Sequence, residues 1–180
     1  MEHHAALVVM DVQQRVFERY VQDTLFLFRV GQVIRIARRT GIPVLYVAVG
    51  LKSGHPEVSV RTLAFSGATQ FHLDPAPQAE TLVVTKRRVS AFAGSDLEAN
   101  LEALGVDSLV LAGVATGGVL QSTLRQATDL GFKTTVLADA CLGADPEVHR
   151  VLMAKVFPRH ADVFTVEQWE DQLTSCTSPA

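Results

Sequence analysis

The strongest constraint on this chain comes from apolar runs that are short, continuous and separated by segments with helical periodicity. Ala5–Met10 is entirely apolar and residues 43–49 nearly so, as expected for strands that are covered on both faces. Between them, Thr24–Arg39 has apolar residues at helical spacing, and Gly41 lies just beyond its end. This strand–helix–strand order predicts a mostly parallel sheet with helices on both faces.

The same alternation continues along the rest of the chain. Further strands are expected at residues 81–85, 108–112, 133–138 and 162–165, and further helices at residues 95–104, 117–130 and 146–157. Ser95 and Pro146 are residues typical of helix starts. Residues 50–79 show little periodicity and predict a long functional loop. We therefore expect one domain over residues 1–180, a three-layer, Rossmann-like α/β fold with a mostly parallel six-stranded sheet, whose polar tail, residues 174–180, is mobile.

Composition narrows the class of protein. A chain of 180 residues that is 48% hydrophobic favours one domain with a substantial core and argues against disorder. Its net charge of -3 gives no basic field for nucleic acid or an anionic membrane, and no apolar stretch is long enough to span a bilayer. No signal peptide is evident, so a cytoplasmic location is expected. Cys141 and Cys176 form no close-spaced metal or redox motif. We expect Cys141 to be a small buried apolar residue and Cys176 to lie in the polar tail.

Polar features follow three of the predicted strands, at the sheet edge where ligands bind in open parallel sheets. Asp11 follows the first strand, where burial could raise its pKa and suit it to general acid or base chemistry. The alternative is that Asp11 only caps the next turn. Lys86 ends the third, in a Lys-Arg-Arg run of a kind that is usually a solvated patch. The glycine-rich turn 113–118 follows the fourth. It could hold a phosphate, but it lacks G-x-G-x-x-G and a Walker lysine.

Three segments resemble the motifs of the isochorismatase-like cysteine hydrolases, in the order and spacing of that family. Asp11-Val-Gln13 matches the opening D-x-Q. Residues 86–97 are similar to K-x-x-x-S-A-F-x-x-T-x-L, with Ser95 in place of the threonine. Residues 113–123 are similar to G-[VI]-x-T-x-x-C-V-x-x-T. The resemblance covers roughly residues 5–164.

This resemblance implies roles for particular residues. Asp11 and Lys86 would form a catalytic pair, in which Lys86 orients the acid and stabilises negative charge. The position of the family's cysteine is Val119, whose side chain cannot attack a carbonyl. The resemblance also implies a cis peptide bond between Val114 and Ala115, with the amides of Ala115 and Val119 forming an oxyanion hole. Substrate contacts are expected from the Asp11 and turn segments and from the middle motif, at Gln13, Phe92, Ala115, Thr116 and Gly118.

We expect neither a metal nor another cofactor. The nicotinamidase branch of the family carries a D-x-H metal motif on this long loop, but no Asp precedes His55 at that spacing and His72 is distant. Two aromatic residues, Phe17 and Tyr20, are weaker candidates for an apolar pocket wall beside Phe92. The residues expected to be structural or superficial are His149, His160 and Arg125.

Without a cysteine at position 119, the covalent route of the amidases in this family is closed. The first interpretation is a hydrolase of a small metabolite that uses Asp11 as general acid or base. Isochorismatases, which the resemblance implies need no cysteine, cleave the vinyl ether of isochorismate in this way. The alternatives are a water-using C–N hydrolase and a binding protein without turnover. Family members are commonly dimers or tetramers, so a homo-oligomer is expected, with a small molecule as the other partner.

Overall fold

The computed structural model describes residues 4–13, 24–50, 73, 77 and 81–177, with side chains up to residue 175. The strands are β1 (Ala5–Met10), β2 (Val44–Val49), β3 (Leu82–Lys86), β4 (Ser108–Val114), β5 (Lys133–Leu142) and β6 (Asp162–Phe164). The regular helices are α1 (Thr24–Arg39), α2 (Leu97–Ala103), α3 (Gln121–Asp129), α4 (Pro146–Val151) and α5 (Val166–Thr177). Irregular helical segments are Thr116–Leu120, Leu152–Val156 and Phe157–Arg159.

The strands form one sheet in the order β3-β2-β1-β4-β5-β6, and every neighbouring pair is parallel. Met10 at the end of β1 lies opposite Val47 of β2 and Gly113 of β4. The strand order reverses between β1 and β4, and open α/β sheets bind ligands at such a point, outside the carboxyl ends of the strands. The predicted six-stranded parallel sheet with helices is confirmed.

The two faces of β1 show how the core is divided. Ala6, Val8 and Met10 belong to one apolar layer, to which α2 and α3 contribute. Leu7 and Val9 belong to the other, to which α1 and α5 contribute. All five side chains are fully buried. A leucine or valine stabilises the fold by about 1.5–3 kcal/mol only when it is fully buried, so the central strand needs both layers.

β4 approaches β1 too closely for a side chain at Gly113. The φ angle of Gly113 is 132°, and a Cβ there would overlap the carbonyl oxygen of Met10. Glycine reaches this conformation without steric cost. The pairing of β4 with β5 also shifts register between Leu111 and Gly113. Gly113 therefore allows β1 and β4 to stay in contact at the carboxyl edge of the sheet, where Asp11 follows β1.

The sequence prediction missed α5. Val166 and Trp169 are buried in the same layer as α1, and Leu173 packs against that layer. These positions repeat at helical spacing, so the amphipathic signal was present in the sequence. α5 extends to Thr177, into the segment 174–180 whose mobility stays a prediction, and residues 178–180 lie outside the described residues.

Several predicted boundaries also differ. β5 runs to Leu142 instead of residue 138, which places Cys141 inside the strand. The second helix begins at Leu97, and the Ser95 hydroxyl accepts a hydrogen bond from the Leu97 amide at 3.2 Å. The predicted loop 50–79 lies outside the described residues except at positions 50, 73 and 77. Among the described helices, none combines the length and the apolar character that crossing a membrane requires.

Candidate active site

Asp11 follows β1 in a left-handed backbone conformation, with a φ of 57°. Its amide donates to the carbonyl of Val47 at 2.9 Å, and its own carbonyl accepts from the amide of Gln13 at 2.8 Å. Positive φ is uncommon outside glycine, although aspartate adopts it more readily than most residues. Residues held in such conformations cluster at functional sites, so the backbone independently draws attention to Asp11.

The Lys86 side chain reaches Asp11 across the end of β2. β1 and β3 lie on either side of β2, and neighbouring strands are about 4.8 Å apart, so a long side chain is required. Lys86 Nζ lies 2.9 Å from Asp11 Oδ2. The two side chains are only 3% and 8% exposed. Two motifs that are far apart in sequence therefore meet in one buried ion pair.

The remaining hydrogen bonds of the pair are unequal. Lys86 Nζ also donates to the carbonyl oxygens of Arg88 and Val89, both at 3.2 Å, so its three N–H donors each have an acceptor. Asp11 Oδ1 is buried and has no hydrogen-bond partner among the described residues. Oδ1 is therefore the oxygen of Asp11 whose hydrogen-bonding capacity the described residues leave unused.

Burial raises the pKa of Asp11 from 3.8 to about 6. The Lys86 charge and its hydrogen bond act in the opposite direction, but the loss of hydration is the larger effect. A carboxyl with this pKa has both of its protonation states populated near neutral pH. It can therefore serve as a proton donor or as a proton acceptor.

Gln13 connects the Asp11 segment to β2. Its Oε1 accepts a hydrogen bond from the amide of Val49 at 2.8 Å, and the side chain is buried. Val49 is the last residue of β2, so this bond fixes Gln13 at the carboxyl edge of the sheet. A contact between Gln13 and a substrate stays a prediction.

A tight turn follows β4 at the same edge. The peptide bond between Val114 and Ala115 is cis. The carbonyl of Ala115 accepts from the amides of Gly118 at 3.0 Å and Leu120 at 3.3 Å. Gly118 departs from helical geometry, with φ -113° and ψ -108°, so Thr116–Leu120 is an irregular turn that runs into α3. The turn is therefore tied together by its own backbone.

Val119 lies on this turn and packs into the core. Its side chain is 4% exposed and belongs to the layer that also contains Phe92 and Cys141. Valine has no nucleophilic atom. Cys141 is buried in β5, and burial raises the pKa of its thiol far above the ordinary value, which disfavours the reactive thiolate. The side chain of Cys176 lies outside the described side chains.

The segment after β3 packs against α3. The amide of Ala91 donates to Thr123 Oγ1 at 2.9 Å, and both residues are buried. The ring of Phe92 stacks on Phe132 with 5.9 Å between centroids. The hydrogen bond between Ala91 and Thr123 joins the middle motif to the turn motif. The stacking on Phe132 contributes to the burial of Phe92, whose contact with a substrate stays a prediction.

His149 is a residue near the turn whose position the sequence analysis did not anticipate. Its Nδ1 lies 2.8 Å from the hydroxyl oxygen of Thr116, which is fully buried. Burial lowers the pKa of His149, which favours the neutral imidazole. The two residues are 33 positions apart, and the only relevant signal in the sequence was the helix start at Pro146.

Arg125 and His160 were expected to be structural or superficial residues. Arg125 is exposed on α3, and the carbonyl of His160 accepts from the hydroxyl of Thr134 at 3.0 Å. No group of three His, Cys, Asp or Glu side chains able to hold a metal occurs among the described residues. The candidates outside the described residues are His55, His72, Phe17 and Tyr20.

Comparison with known proteins gives a consistent family. The isochorismatase domain model matches residues 5–168. An uncharacterized isochorismatase family protein of Escherichia coli O157:H7, YecD, is 32% identical over 91% of this chain and 93% of its own length. The ureidoacrylate amidohydrolase RutB of Stutzerimonas stutzeri is 30% identical over 79% of this chain and 71% of its own length. An isochorismatase family protein from Desulfovibrio vulgaris has the same fold, with a TM-score of 0.84 at 20% identity over 96% of this chain and all of the other.

Proposed function

Because the chain belongs to the isochorismatase family, we propose that it is a hydrolase of a small metabolite that works through Asp11 and without a cysteine nucleophile. The observation that carries the proposal is the asymmetry of the buried pair. One oxygen of Asp11 is held by Lys86, and the other has no partner among the described residues. Val119, at the position that the resemblance gives to the family's cysteine, is a buried apolar side chain.

The reaction that fits best is hydrolysis of a vinyl ether, as in isochorismatases. Protonated Asp11 gives its proton to the terminal carbon of the double bond, which leaves a cation stabilised by the ether oxygen. Water adds to the cationic carbon and returns a proton to Asp11, and the hemiketal then separates into a ketone and an alcohol. This step needs a protonated carboxyl beside a lysine. Because burial outweighs the Lys86 charge and raises the pKa of Asp11 to about 6, a fraction of the protein carries that proton near neutral pH.

The turn after β4 supplies the second part of the proposed site. We assign the backbone amides of Ala115 and Val119 to a substrate oxygen that carries negative charge. Amide donors belong to the backbone, so a valine at position 119 leaves them in place. Lys86 holds Asp11 in position, and when Asp11 is protonated the ammonium charge of Lys86 is no longer compensated by a carboxylate, which favours an anionic substrate.

A water-using C–N hydrolase is the second candidate, and RutB, named as an amidohydrolase, motivates it. In that reaction ionised Asp11 would take a proton from the attacking water, and the turn amides would hold the oxyanion. As the C–N bond breaks, Asp11 would give that proton to the leaving nitrogen and return to its ionised form. A binding protein without turnover is the third candidate. The cytoplasmic location and the homo-oligomer stay predictions that accompany this proposal.

A substrate panel of vinyl ethers, ureides and amides tests the proposal, with kcat measured from pH 5 to pH 8. A general acid must be protonated, so vinyl ether turnover should be highest below about pH 6 and fall as pH rises through the pKa of Asp11. Asp11→Asn should lower kcat by about 10²- to 10⁴-fold. Asp129→Asn, at an exposed carboxylate on α3, is the matched control and should leave kcat unchanged.

The opposite pH profile would contradict the acid route. Turnover of ureides or amides that increases as pH rises through about 6 would identify Asp11 as a base and favour the C–N reaction. Full activity of Asp11→Asn would remove Asp11 from the mechanism. If the wild-type protein turned over none of the three substrate classes, the interpretation as a binding protein would replace the interpretation as an enzyme.

A further inference from the structure

We propose that His149 is a positioning residue that holds the turn after β4 in its working orientation, through the hydroxyl of Thr116. The inference rests on the proposed function, in which backbone amides of this turn bind a negatively charged oxygen. His149 has no part in the three motifs of the resemblance, and the sequence analysis gave it no role.

The first support is the contact itself. Thr116 directly follows Ala115, and its hydroxyl oxygen lies 2.8 Å from Nδ1 of His149. Thr116 is fully buried, so water does not compete for this hydroxyl. The carbonyl of Ala115 is bound from within the turn by Gly118 and Leu120. The hydrogen bond between Thr116 and His149 therefore connects the turn to a separate element, α4.

The second support is that α4 is itself held in place. Asp145 Oδ1 accepts from the amides of Glu147 at 2.8 Å and Val148 at 3.2 Å, which caps the start of the helix. α4 also packs on the turn. A Cβ built at Gly117 would meet the side chains of Val148 and Leu152 at ordinary van der Waals distance, 3.7 Å. His149 thus projects from a fixed helix that already touches the turn.

The third support is the space that Gly143 leaves open. A Cβ at Gly143 would lie 3.2 Å from the Cβ of His149 and 3.5 Å from that of Thr116. Gly143 directly follows β5, so the connection from β5 to α4 passes beside the hydrogen bond with almost no room to spare. Because Gly143 has no side chain, His149 and Thr116 can stay within hydrogen-bonding distance of each other.

The protonation state of His149 indicates how to replace it. Burial lowers the pKa of His149, so the neutral ring is favoured, with one nitrogen as donor and the other as acceptor. Either Thr116 donates to Nδ1 or Nδ1–H donates to Thr116. Asparagine carries both a donor and an acceptor at similar reach, so His149→Asn keeps the hydrogen bond, whereas His149→Ala removes it.

A thiol introduced at the turn provides a readout that does not depend on the unknown substrate. The parent protein is the full chain with Val119→Cys and Cys176→Ser, and the measurement is the rate of alkylation by iodoacetamide from pH 6 to pH 9, followed by mass spectrometry. Turn amides that favour negative charge should hold the pKa of the new thiol below the ordinary value of about 8.5. His149→Ala should raise that pKa and slow alkylation at pH 7 by about two- to tenfold, while His149→Asn should restore most of the rate.

Thr116→Val provides an independent test, since it removes the hydroxyl and keeps the shape. It should slow alkylation as much as His149→Ala does, and the two changes together should add little. Thr116→Ser should behave like the parent. If His149→Ala fails to fold by circular dichroism, the Thr116 pair decides the question.

The two possible failures are distinguishable. If the pH dependence of alkylation gives the introduced thiol a pKa no lower than about 8.5, the turn does not favour negative charge and that part of the proposed function is wrong. If the introduced thiol is activated but His149→Ala and Thr116→Val leave its rate unchanged, the positioning role of His149 is wrong. Slowing that His149→Asn does not relieve would also contradict this role.

Discussion

At the pair of Asp11 and Lys86, burial and charge act against each other. Loss of hydration favours the neutral carboxyl, and the nearby ammonium favours the carboxylate. The outcome is a pKa of about 6, which neither an exposed aspartate nor a fully compensated ion pair would have. The two carbonyl partners of Lys86 hold its Nζ in place, so the lysine cannot swing away to solvent without losing three hydrogen bonds.

Replacing the lysine should make stability depend on pH. In Lys86→Met the pKa of Asp11 should rise further, because burial then acts without the opposing charge. A carboxyl whose pKa is raised on folding destabilises the fold as pH increases from its unfolded value towards its folded value. Relative to the wild type, urea unfolding should therefore show an additional loss of up to about 3 kcal/mol at pH 8 compared with pH 5.

The matched control for this prediction is Asp11→Asn in the Lys86→Met background. An amide does not titrate, so the additional loss between pH 5 and pH 8 should disappear. The same destabilisation by Lys86→Met at both pH values would contradict the assignment, because it would indicate a loss of packing or of the carbonyl contacts rather than an unpaired carboxylate.

At the scale of elements, the contact between β1 and β4 depends on Gly113. Alanine at this position would have an unfavourable positive φ, and its Cβ would overlap backbone atoms of Met10 on the central strand. Backbone atoms of a buried strand cannot move aside cheaply. Gly113→Ala should therefore lower the free energy of unfolding by more than about 3 kcal/mol in urea denaturation.

Gly117→Ala is the matched control, on the neighbouring turn. A Cβ at Gly117 would make only ordinary contacts, with Leu152 and Val148 at 3.7 Å. Its effect on the free energy of unfolding should be within about 1 kcal/mol. If Gly113→Ala and Gly117→Ala lowered the free energy of unfolding by similar amounts, the close contact between β1 and β4 would not be the cause of the loss.

The elements also show what the sequence could predict. β1 and α1 have the predicted bounds, because a strand buried on both faces and an amphipathic helix leave strong periodic signals. α5 was missed although Val166, Trp169 and Leu173 have helical spacing, because the segment ends in polar residues and only its packing against the layer of α1 shows that this face is buried. Boundaries such as the end of β5 depend on pairing with a neighbour, which no local pattern contains.

The site was predictable in part for a similar reason. Asp11 and Lys86 each follow or end a strand, and parallel strands bring their carboxyl ends to one edge, so their common edge was expected from the order of elements. Their pairing was implied only by the resemblance to the family motifs. The contact between His149 and Thr116 depends on how α4 packs and on the absence of a side chain at Gly143. Such tertiary details leave no periodic pattern in the sequence.

For the molecule as a whole, the two core layers share every central strand. Alternate residues of β1 belong to opposite layers, so the loss of either layer would expose apolar side chains on one face of the same strand. α5 joins this arrangement through Val166 and Trp169, far from the amino-terminal strand in sequence. The described residues therefore have the organisation expected of one cooperative unit.

This organisation predicts that α5 unfolds together with the sheet. Trp169 is the one tryptophan of the chain and is buried in α5 against the layer shared with α1, so its fluorescence reports on the carboxyl-terminal helix. Far-UV circular dichroism reports on all helices and strands. In urea the two signals should have the same midpoint, and Gly113→Ala should move both midpoints down by the same amount, because a two-state protein has a single free energy of unfolding. A fluorescence transition at lower urea than the circular dichroism transition would show that α5 detaches first, and the chain would then be more than one cooperative unit.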